Sequence, residues 1–379
     1  MNMTLHLTDA CNLRCRYCYQ TRSPERMTEE TARKAIDLSR SGGEGVLAKG
    51  DTAHTGVCFF GGEPLLMRGL IEDTVAYANE IHEKTGHAFF FRLVTNGILL
   101  DESFLEFAAK NRIGLGFSHD GLMQDDARIF PDGTGTAAIL EEKIPLLLKY
   151  LPDTMVMCTV YPASVGKFAD SVEWLFAKGF RKIYTIPMLG AAADWTDARI
   201  LELDRQYGKI SDLYVKWTRE GTDFDFPVFD NKIASHILGD AYRHRTCRFG
   251  IRQVSVAPDG GIYPCIQFVG DPLSRMGSVD EGIFHGSVPR AVLEERNEPD
   301  TCLLCTLKSR CKYNCRCQNK QMSGSPERVS PFTCAHEKML IKYADRAADR
   351  LFEEKNETFI RKQYTARLER DCPEFFADE

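Results

Sequence analysis

Along the first 187 residues, short apolar runs recur between longer stretches whose apolar positions return at helical spacing. The runs are Met3 to Thr8, Val57 to Phe60, Ala88 to Thr95, Ile113 to Ser118, Thr154 to Tyr161 and Lys182 to Pro187, and they read as strands. Between them Thr28 to Ser41, Leu65 to Lys84, Glu102 to Asn111, Ala137 to Tyr150 and Val165 to Lys178 carry the amphipathic pattern of helices. Strands alternating with helices pair in parallel through right-handed crossovers, which predicts an α/β sheet or open barrel. In such folds ligands gather at the carboxyl ends of the strands.

The pattern then changes. Residues 195–222 read as a helix covering the side of the sheet, the chain from about 236 to 340 is loop-rich with clustered cysteine and glycine, and residues 335–370 regain a charged amphipathic helical pattern. The expected organisation is an α/β domain over residues 1–235, a small metal-held domain over 236–340, and a C-terminal helix and tail over 341–379. No internal repeat or low-complexity segment interrupts it.

Composition narrows the function. The chain of 379 residues has 48 basic and 54 acidic residues, a net charge of -6, and no basic run to track a phosphate backbone, so nucleic acid is not an expected partner. No stretch approaches the roughly 18–20 apolar residues that span a bilayer, and the N-terminus lacks the charged start and apolar run of a signal peptide. A cytoplasmic protein is expected. Fourteen cysteines in a reducing compartment point to metal or redox chemistry rather than disulfides.

Three of them, in Cys11-Asn12-Leu13-Arg14-Cys15-Arg16-Tyr17-Cys18, lie on one short loop directly after the first strand. Three thiolates can hold three irons of a 4Fe–4S cube and leave the fourth open to a small molecule; a zinc site borrowing a fourth ligand is the alternative. The second strand runs into Gly61-Gly62-Glu63-Pro64, where two glycines permit close backbone approach to a ligand. The third ends in Thr95-Asn96-Gly97 and the fourth in Ser118-His119-Asp120-Gly121, polar groups at strand ends that could equally be turns or caps. Further on come Cys247, Cys265, Cys302, Cys305, Cys311, Cys315, Cys317 and Cys334, with Val254 to Cys265 reading as a glycine-turned hairpin that delivers a thiol. Cys58 and Cys158, inside apolar strands, read as buried core thiols, Cys372 as incidental and His119 as a packing residue.

Together the CxxxCxxC loop with its aromatic Tyr17 and the Gly-Gly-Glu-Pro turn resemble the radical SAM superfamily, and the later cysteine array resembles its SPASM extension. The resemblance implies a partial (β/α)6 barrel followed by a cysteine-rich SPASM domain. It implies a cluster on Cys11, Cys15 and Cys18 that binds S-adenosylmethionine (SAM) and splits it to a 5'-deoxyadenosyl radical. By the same resemblance Tyr17, Gly61, Gly62, Glu63, Pro64, Asn96, Ser118, Asp120 and Arg128 line the SAM pocket, Arg128 on the carboxylate as suits a guanidinium; a solvated surface arginine is the alternative for that residue. Two auxiliary 4Fe–4S clusters are implied, one on Cys247, Cys265 and Cys315 with Cys317, another group or substrate in the fourth place, and one on Cys302, Cys305, Cys311 and Cys334. Zinc is the alternative for this array.

Proteins of this kind act on peptides or proteins, with flavodoxin or ferredoxin as electron donor. An oxidative thioether or carbon–carbon crosslink in a ribosomally made peptide is the expected reaction. The alternative is anaerobic sulfatase maturation, whose pattern places a proposed basic aspartate after the hairpin cysteine; here that residue is Ile266, with Asp259, Asp271 or another acid as substitutes. A non-catalytic iron–sulfur or zinc protein is the rival from another class.

Overall fold

The computed structural model describes residues 2–41, 54–190, 192–239, 250, 253–283, 300–312 and 315–365. Ten strands lie among them: β1 Asn2–His6, β2 His54–Phe60, β3 Ala88–Thr95, β4 Gly114–Ser118, β5 Met155–Val160, β6 Lys182–Pro187, β7 Gln253–Val256, β8 Gly261–Tyr263, β9 Gly277–Ser278 and β10 Gly282–Ile283. All six strands expected in the first half are present, and between β1 and β6 each strand is separated from the next by helix, as the alternation requires. β1 stops at His6 rather than Thr8 because the chain turns away to bridge Thr8 with Arg26.

The chain divides into two compact units. The first comprises Met1–His119, Gln124–Thr154 and Cys247–Asn297. Its sheet runs β10-β9-β8-β7-β1-β2-β3-β4, with β1 to β4 parallel and β7 to β10 antiparallel among themselves. The hairpin foreseen at 254–265 therefore extends this sheet, β7 lying parallel to β1 with Thr4 beside Ser255. Side chains alternate across the strands. Val57 and Phe59 are buried beside Phe91 and Leu93, whereas Cys58 and Phe60 point to the other, less covered face. Cys58 is thus half-buried rather than a core thiol, while Cys158 on β5 is fully buried.

The helices of this unit start and stop where local chemistry directs. Asp101 caps the helix Glu102–Lys110 by accepting from the Phe104 amide at 2.8 Å. Glu29 and Glu30 open the helix Glu29–Ser41 and pair one turn on with Arg33 and Lys34. The helix Arg68–Thr85 ends at Gly86 in the left-handed conformation.

The second unit comprises Asp120–Met123, Met155–Thr246 and Glu298–Glu379. Its strands β5 and β6 pair in parallel, and the long helices Asp197–Arg219 and Pro331–Glu353 pack on each other. Tyr207, Ile210 and Tyr214 on one and Leu340, Ala344, Ala347 and Leu351 on the other are buried, and the Ser211 hydroxyl of the first donates to the Tyr343 carbonyl of the second at 2.9 Å. Gly208 lies at this contact, where a methyl would sit in ordinary van der Waals contact with the Tyr343 ring at 3.4 Å. The second helix begins at Pro331, earlier than its amphipathic pattern suggests, because Ser330 caps it through the Thr333 amide and proline suits the first helical position. Pro227–Ile237 forms a helix that the pattern did not announce. Among the described residues no helix is long and apolar enough to cross a membrane.

Candidate active site and metal centre

Beyond β1 and β2 the two backbones stay in step. The Leu7 amide donates to the Phe60 carbonyl at 2.9 Å, the Gly62 amide to Thr8 at 2.8 Å and the Glu63 amide to Ala10 at 2.9 Å. This zipper sets the start of the cysteine loop against the glycine turn. It also explains the glycines. Gly61 has a φ of +131°, and a Cβ on Gly62 would lie 2.2 Å from the Ala10 carbonyl oxygen, so both are demanded by the neighbouring chain itself.

A second backbone pairing holds the far side of the loop. The Arg14 amide donates to Ile129 at 2.7 Å and the Arg16 amide to Ala127 at 2.9 Å. The residue between these two acceptors is Arg128, which is 8% exposed and lies with its guanidinium 5.2 Å from the centre of the Tyr17 ring. The reading of Arg128 as a solvated surface residue is excluded. A cation stacked on an aromatic ring beside three thiols is a ready anion site.

Glu63 is fully buried, and its carboxylate is occupied from within. Oε1 accepts from the Leu65 amide at 3.0 Å and the Thr95 hydroxyl at 2.7 Å, and Oε2 from the Asn96 amide at 2.8 Å. Burial raises its pKa, and the three donors oppose the rise. Glu63 therefore ties the end of β2 to the end of β3. Pro64 opens a short 3-10 turn for which Glu63 is the cap. Asn96, 7% exposed, donates from Nδ2 to Asn12 Oδ1 at 2.8 Å and to Cys11 Sγ at 3.8 Å, and its own Oδ1 accepts from the Ile98 amide.

The three thiols differ in setting. Cys11 and Cys15 are half-buried and Cys18 is exposed, so the loop opens to solvent at its C-terminal end. Burial pushes the Cys11 thiol up, opposed by a hydrogen bond from the Leu13 amide. Of the remaining pocket residues, Ser118 is half-buried at the end of β4 in the first unit. Asp120 belongs to the second unit, where it is fully buried and accepts from the Thr159 amide at 2.7 Å. His119 is buried beside Phe117, in the packing position expected.

The second unit contains a cavity of about 300 Å³ into which Cys302, Cys305, Cys311 and Cys334 all face. Three of these sit on the loop 302–311, tightened by a turn from the Cys305 amide to Cys302 and another from Cys311 to Lys308. Cys334 comes from the first turn of the helix Pro331–Glu353, where its own amide donates to the Ser330 carbonyl at 3.0 Å. Leu307, Val329, Pro331 and Ile341 supply apolar walls. Among the described residues no three ligand side chains converge as a single ion requires.

The other array cysteines are dispersed among the described elements. Cys265 follows β8 in the first unit and is half-buried. Cys315 caps the helix Arg316–Ser323 in the second, with Cys317 buried two residues on. The Cys315 thiol is held well below its ordinary pKa, first by a hydrogen bond with Cys317 and further by the Gln318 amide. Cys247 and Cys372 lie outside the described residues. The substitutes for a base after Cys265 are otherwise engaged: Asp259 accepts from the Gly261 amide and faces Arg275, and Asp271 caps the short turn Pro272–Ser274. Sequence reading missed a buried ion pair beside the four-cysteine cavity, Lys232 with Glu337. Lys232 lies on a helix that the pattern did not announce, and Glu337 is one charge among many on a charged amphipathic one.

A parallel α/β sheet whose strand ends carry a three-cysteine loop and a Gly-Gly-Glu turn defines an iron–sulfur enzyme that binds SAM. Residues 5–190 match the radical SAM superfamily and form a radical SAM domain. Among curated proteins it is 24% identical over 354 residues to a cysteine-type anaerobic sulfatase-maturating enzyme of Clostridium perfringens, covering 89% of this chain and 94% of that protein. It is 23% identical over 325 residues to a serine-type anaerobic sulfatase-maturating enzyme of Klebsiella aerogenes, covering 81% and 77%. Among solved structures, anSMEcpe with bound AdoMet and Cp18Cys peptide superposes with a TM-score of 0.75 over 92% of this chain and 98% of that one, at 20% identity. Streptococcus suis SuiB bound to precursor peptide SuiA gives 0.59 over 88% and 75%, at 15% identity. These likenesses establish the radical SAM fold with its cysteine-rich C-terminal part.

Proposed function

We propose that this enzyme oxidises a peptide or protein substrate, forming a thioether or carbon–carbon crosslink in a ribosomally made peptide. Cys11, Cys15 and Cys18 hold the SAM-binding cluster; Gly61, Gly62, Glu63, Pro64 and Asn96 frame one side of SAM, and Tyr17, Arg128, Ser118 and Asp120 complete its contacts. When bound and reduced, the cluster and SAM supply a 5'-deoxyadenosyl radical that removes a hydrogen atom from substrate. Cys302, Cys305, Cys311 and Cys334 hold one auxiliary cluster. Cys247, Cys265 and Cys315 hold another, for which Cys317, hydrogen-bonded to Cys315, is a candidate fourth thiol. Such clusters take up the electron left when a substrate radical closes to product, which a net oxidation requires, and flavodoxin or ferredoxin supplies electrons for SAM cleavage. The single observation that carries the reading is the four-cysteine cavity in a chain that also has the three-cysteine loop.

A second reading, sulfatase maturation, is favoured by the near-complete coverage of the Clostridium perfringens protein. Against it, Ile266 follows Cys265, and Asp259 and Asp271 are spent on turns. Both are tested by anaerobic reconstitution, reduction, addition of SAM and candidate peptides, and mass spectrometry with hydrazide trapping. A crosslinker removes two hydrogens and leaves no aldehyde. A sulfatase-type maturase leaves a trappable aldehyde at cysteine or serine. Absence of 5'-deoxyadenosine under reductant refutes both.

A further inference from the structure

Lys232, on the helix Pro227–Ile237, and Glu337, on the helix Pro331–Glu353, form an ion pair at 2.6 Å with side chains only 3% and 6% exposed. Burying two charges is costly, and an apolar pair of similar size would commonly serve stability as well or better. The pair therefore calls for another reason, and its remaining partners supply one. Lys232 Nζ also donates to the Arg310 carbonyl at 2.9 Å, and Glu337 Oε2 also accepts from the Lys312 amide at 2.6 Å. Those two backbone groups flank Cys311.

We infer that the Lys232–Glu337 pair is a clamp that sets the direction of the Cys311 thiol into the four-cysteine cavity, a positioning role for the auxiliary cluster. The inference rests on reading Cys302, Cys305, Cys311 and Cys334 as ligands of an iron–sulfur cluster. Cys311 lies just past the short 3-10 turn Lys308–Arg310, and its own amide makes a long 3.3 Å bond to Lys308. The two peptides on either side decide where its Cβ points, and each is held by one half of the ion pair. Glu337 also follows Cys334 by three residues on one helix and lines the same cavity, so the clamp references Cys311 to the helix that carries another ligand. Arg310 reinforces it. Its guanidinium forks onto Asp345 at 2.7 and 2.5 Å and donates to the Lys232 carbonyl at 3.0 Å, tying the loop to both helices.

The test is iron and sulfide content with the reduced-state electron paramagnetic resonance spectrum, measured on the reconstituted full chain beside its melting temperature. If three cubes are present, the parent carries about twelve irons and Cys311→Ala about eight. Lys232→Met and the milder Glu337→Gln are expected to fall towards the Cys311→Ala value while the spectrum of the SAM-binding cluster persists. The double variant Lys232→Met, Glu337→Leu removes the unpaired charge and is expected to regain the parent melting temperature without regaining the iron. The inference is overturned if the single variants keep the parent iron count, or if the double variant recovers iron together with stability, as a mere packing element would. If Cys311→Ala itself loses no iron, the cluster reading fails and the clamp falls with it.

Discussion

The carboxylate of Glu63 offers the sharpest perturbation of the SAM site, because its contacts predict an effect in the absence of any ligand. Glu63→Ala removes an acceptor shared by three buried or nearly buried donors, the Leu65 amide, the Thr95 hydroxyl and the Asn96 amide. Leaving a buried donor unpaired costs about 1–3 kcal/mol. Water entering the vacated space recovers part of this, so the sum is set at about 3–5 kcal/mol, a large share of the 5–15 kcal/mol typical of a folded protein. At about 2–4 °C per kcal/mol for a unit of this size, the melting temperature falls by roughly 6–20 °C. Glu63→Gln keeps an oxygen for two of the donors but turns an NH2 group towards the third, and is expected to lose about a third as much.

Both variants are followed by circular dichroism without SAM, then by anaerobic calorimetry of SAM binding after reconstitution. A brace between β2 and β3 requires stability and affinity to fall together, the alanine variant more than the glutamine. A Glu63→Ala protein that melts like the parent yet binds SAM weakly would refute the brace and leave the carboxylate to the ligand alone.

Cys15→Ala is expected to abolish 5'-deoxyadenosine release, and Cys305→Ala to spare it while stopping peptide modification; normal turnover by both variants in chromatographic and mass-spectrometric assays would overturn the assigned roles. Gly62→Ala drives a methyl to 2.2 Å from the Ala10 carbonyl, and about four irons per chain should be lost as the loop is displaced. Arg128→Lys keeps the charge but loses the planar fork over Tyr17, so the Kd for SAM should rise about tenfold; an unchanged titration would remove Arg128 from the site. His6 is buried and its pKa is lowered by burial to about 4. The unfolded chain then binds the proton first, so stability holds above pH 6.5 and drops by about 2 kcal/mol between pH 6.5 and 5. His6→Leu should flatten that part of the acid-denaturation profile, and an unaltered slope would show that other groups set it.

The strands and most helices were legible because each carries a local signal: β2 alternates, Asp101 caps, and Ser330 with Pro331 starts a helix. The cysteine loop and glycine turn were legible as chemistry, yet the work of the glycines was not, because the close approach of Thr8 and Ala10 is a pairing between segments some fifty residues apart. Arg128 was ambiguous for a similar reason. Nothing local distinguishes it from a surface arginine until the Arg14 and Arg16 amides hydrogen-bond to either side of it. Lys232 and Glu337 were invisible because each, seen alone, is an ordinary charge on an amphipathic helix; only tertiary structure buries them together.

The two described cysteine sites are held by different means, and the difference follows from what each must do. The loop Cys11 to Cys18 is fixed at both flanks by backbone pairing, to residues 60–63 and 127–129, and by the neutral amide of Asn96, while Cys18 stays exposed. That arrangement keeps the base of the loop rigid and its mouth open, as a site must be if a small cofactor is to enter and leave at every turnover. The site of Cys302, Cys305, Cys311 and Cys334 has apolar walls, leaves Cys334 exposed, and is flanked by the Lys232–Glu337 and Arg310–Asp345 pairs. Ion pairs of low exposure are expensive to break one partner at a time, which suits a site that needs no exchange and must keep four ligands in register. The loop, which no ion pair clamps, should accordingly lose iron first when a mild chelator is added to the reconstituted enzyme, with the ion-paired site following only as the second unit unfolds. Loss in the reverse order, followed by the spectrum of each cluster, would contradict this assignment of an exchanging and a permanent site.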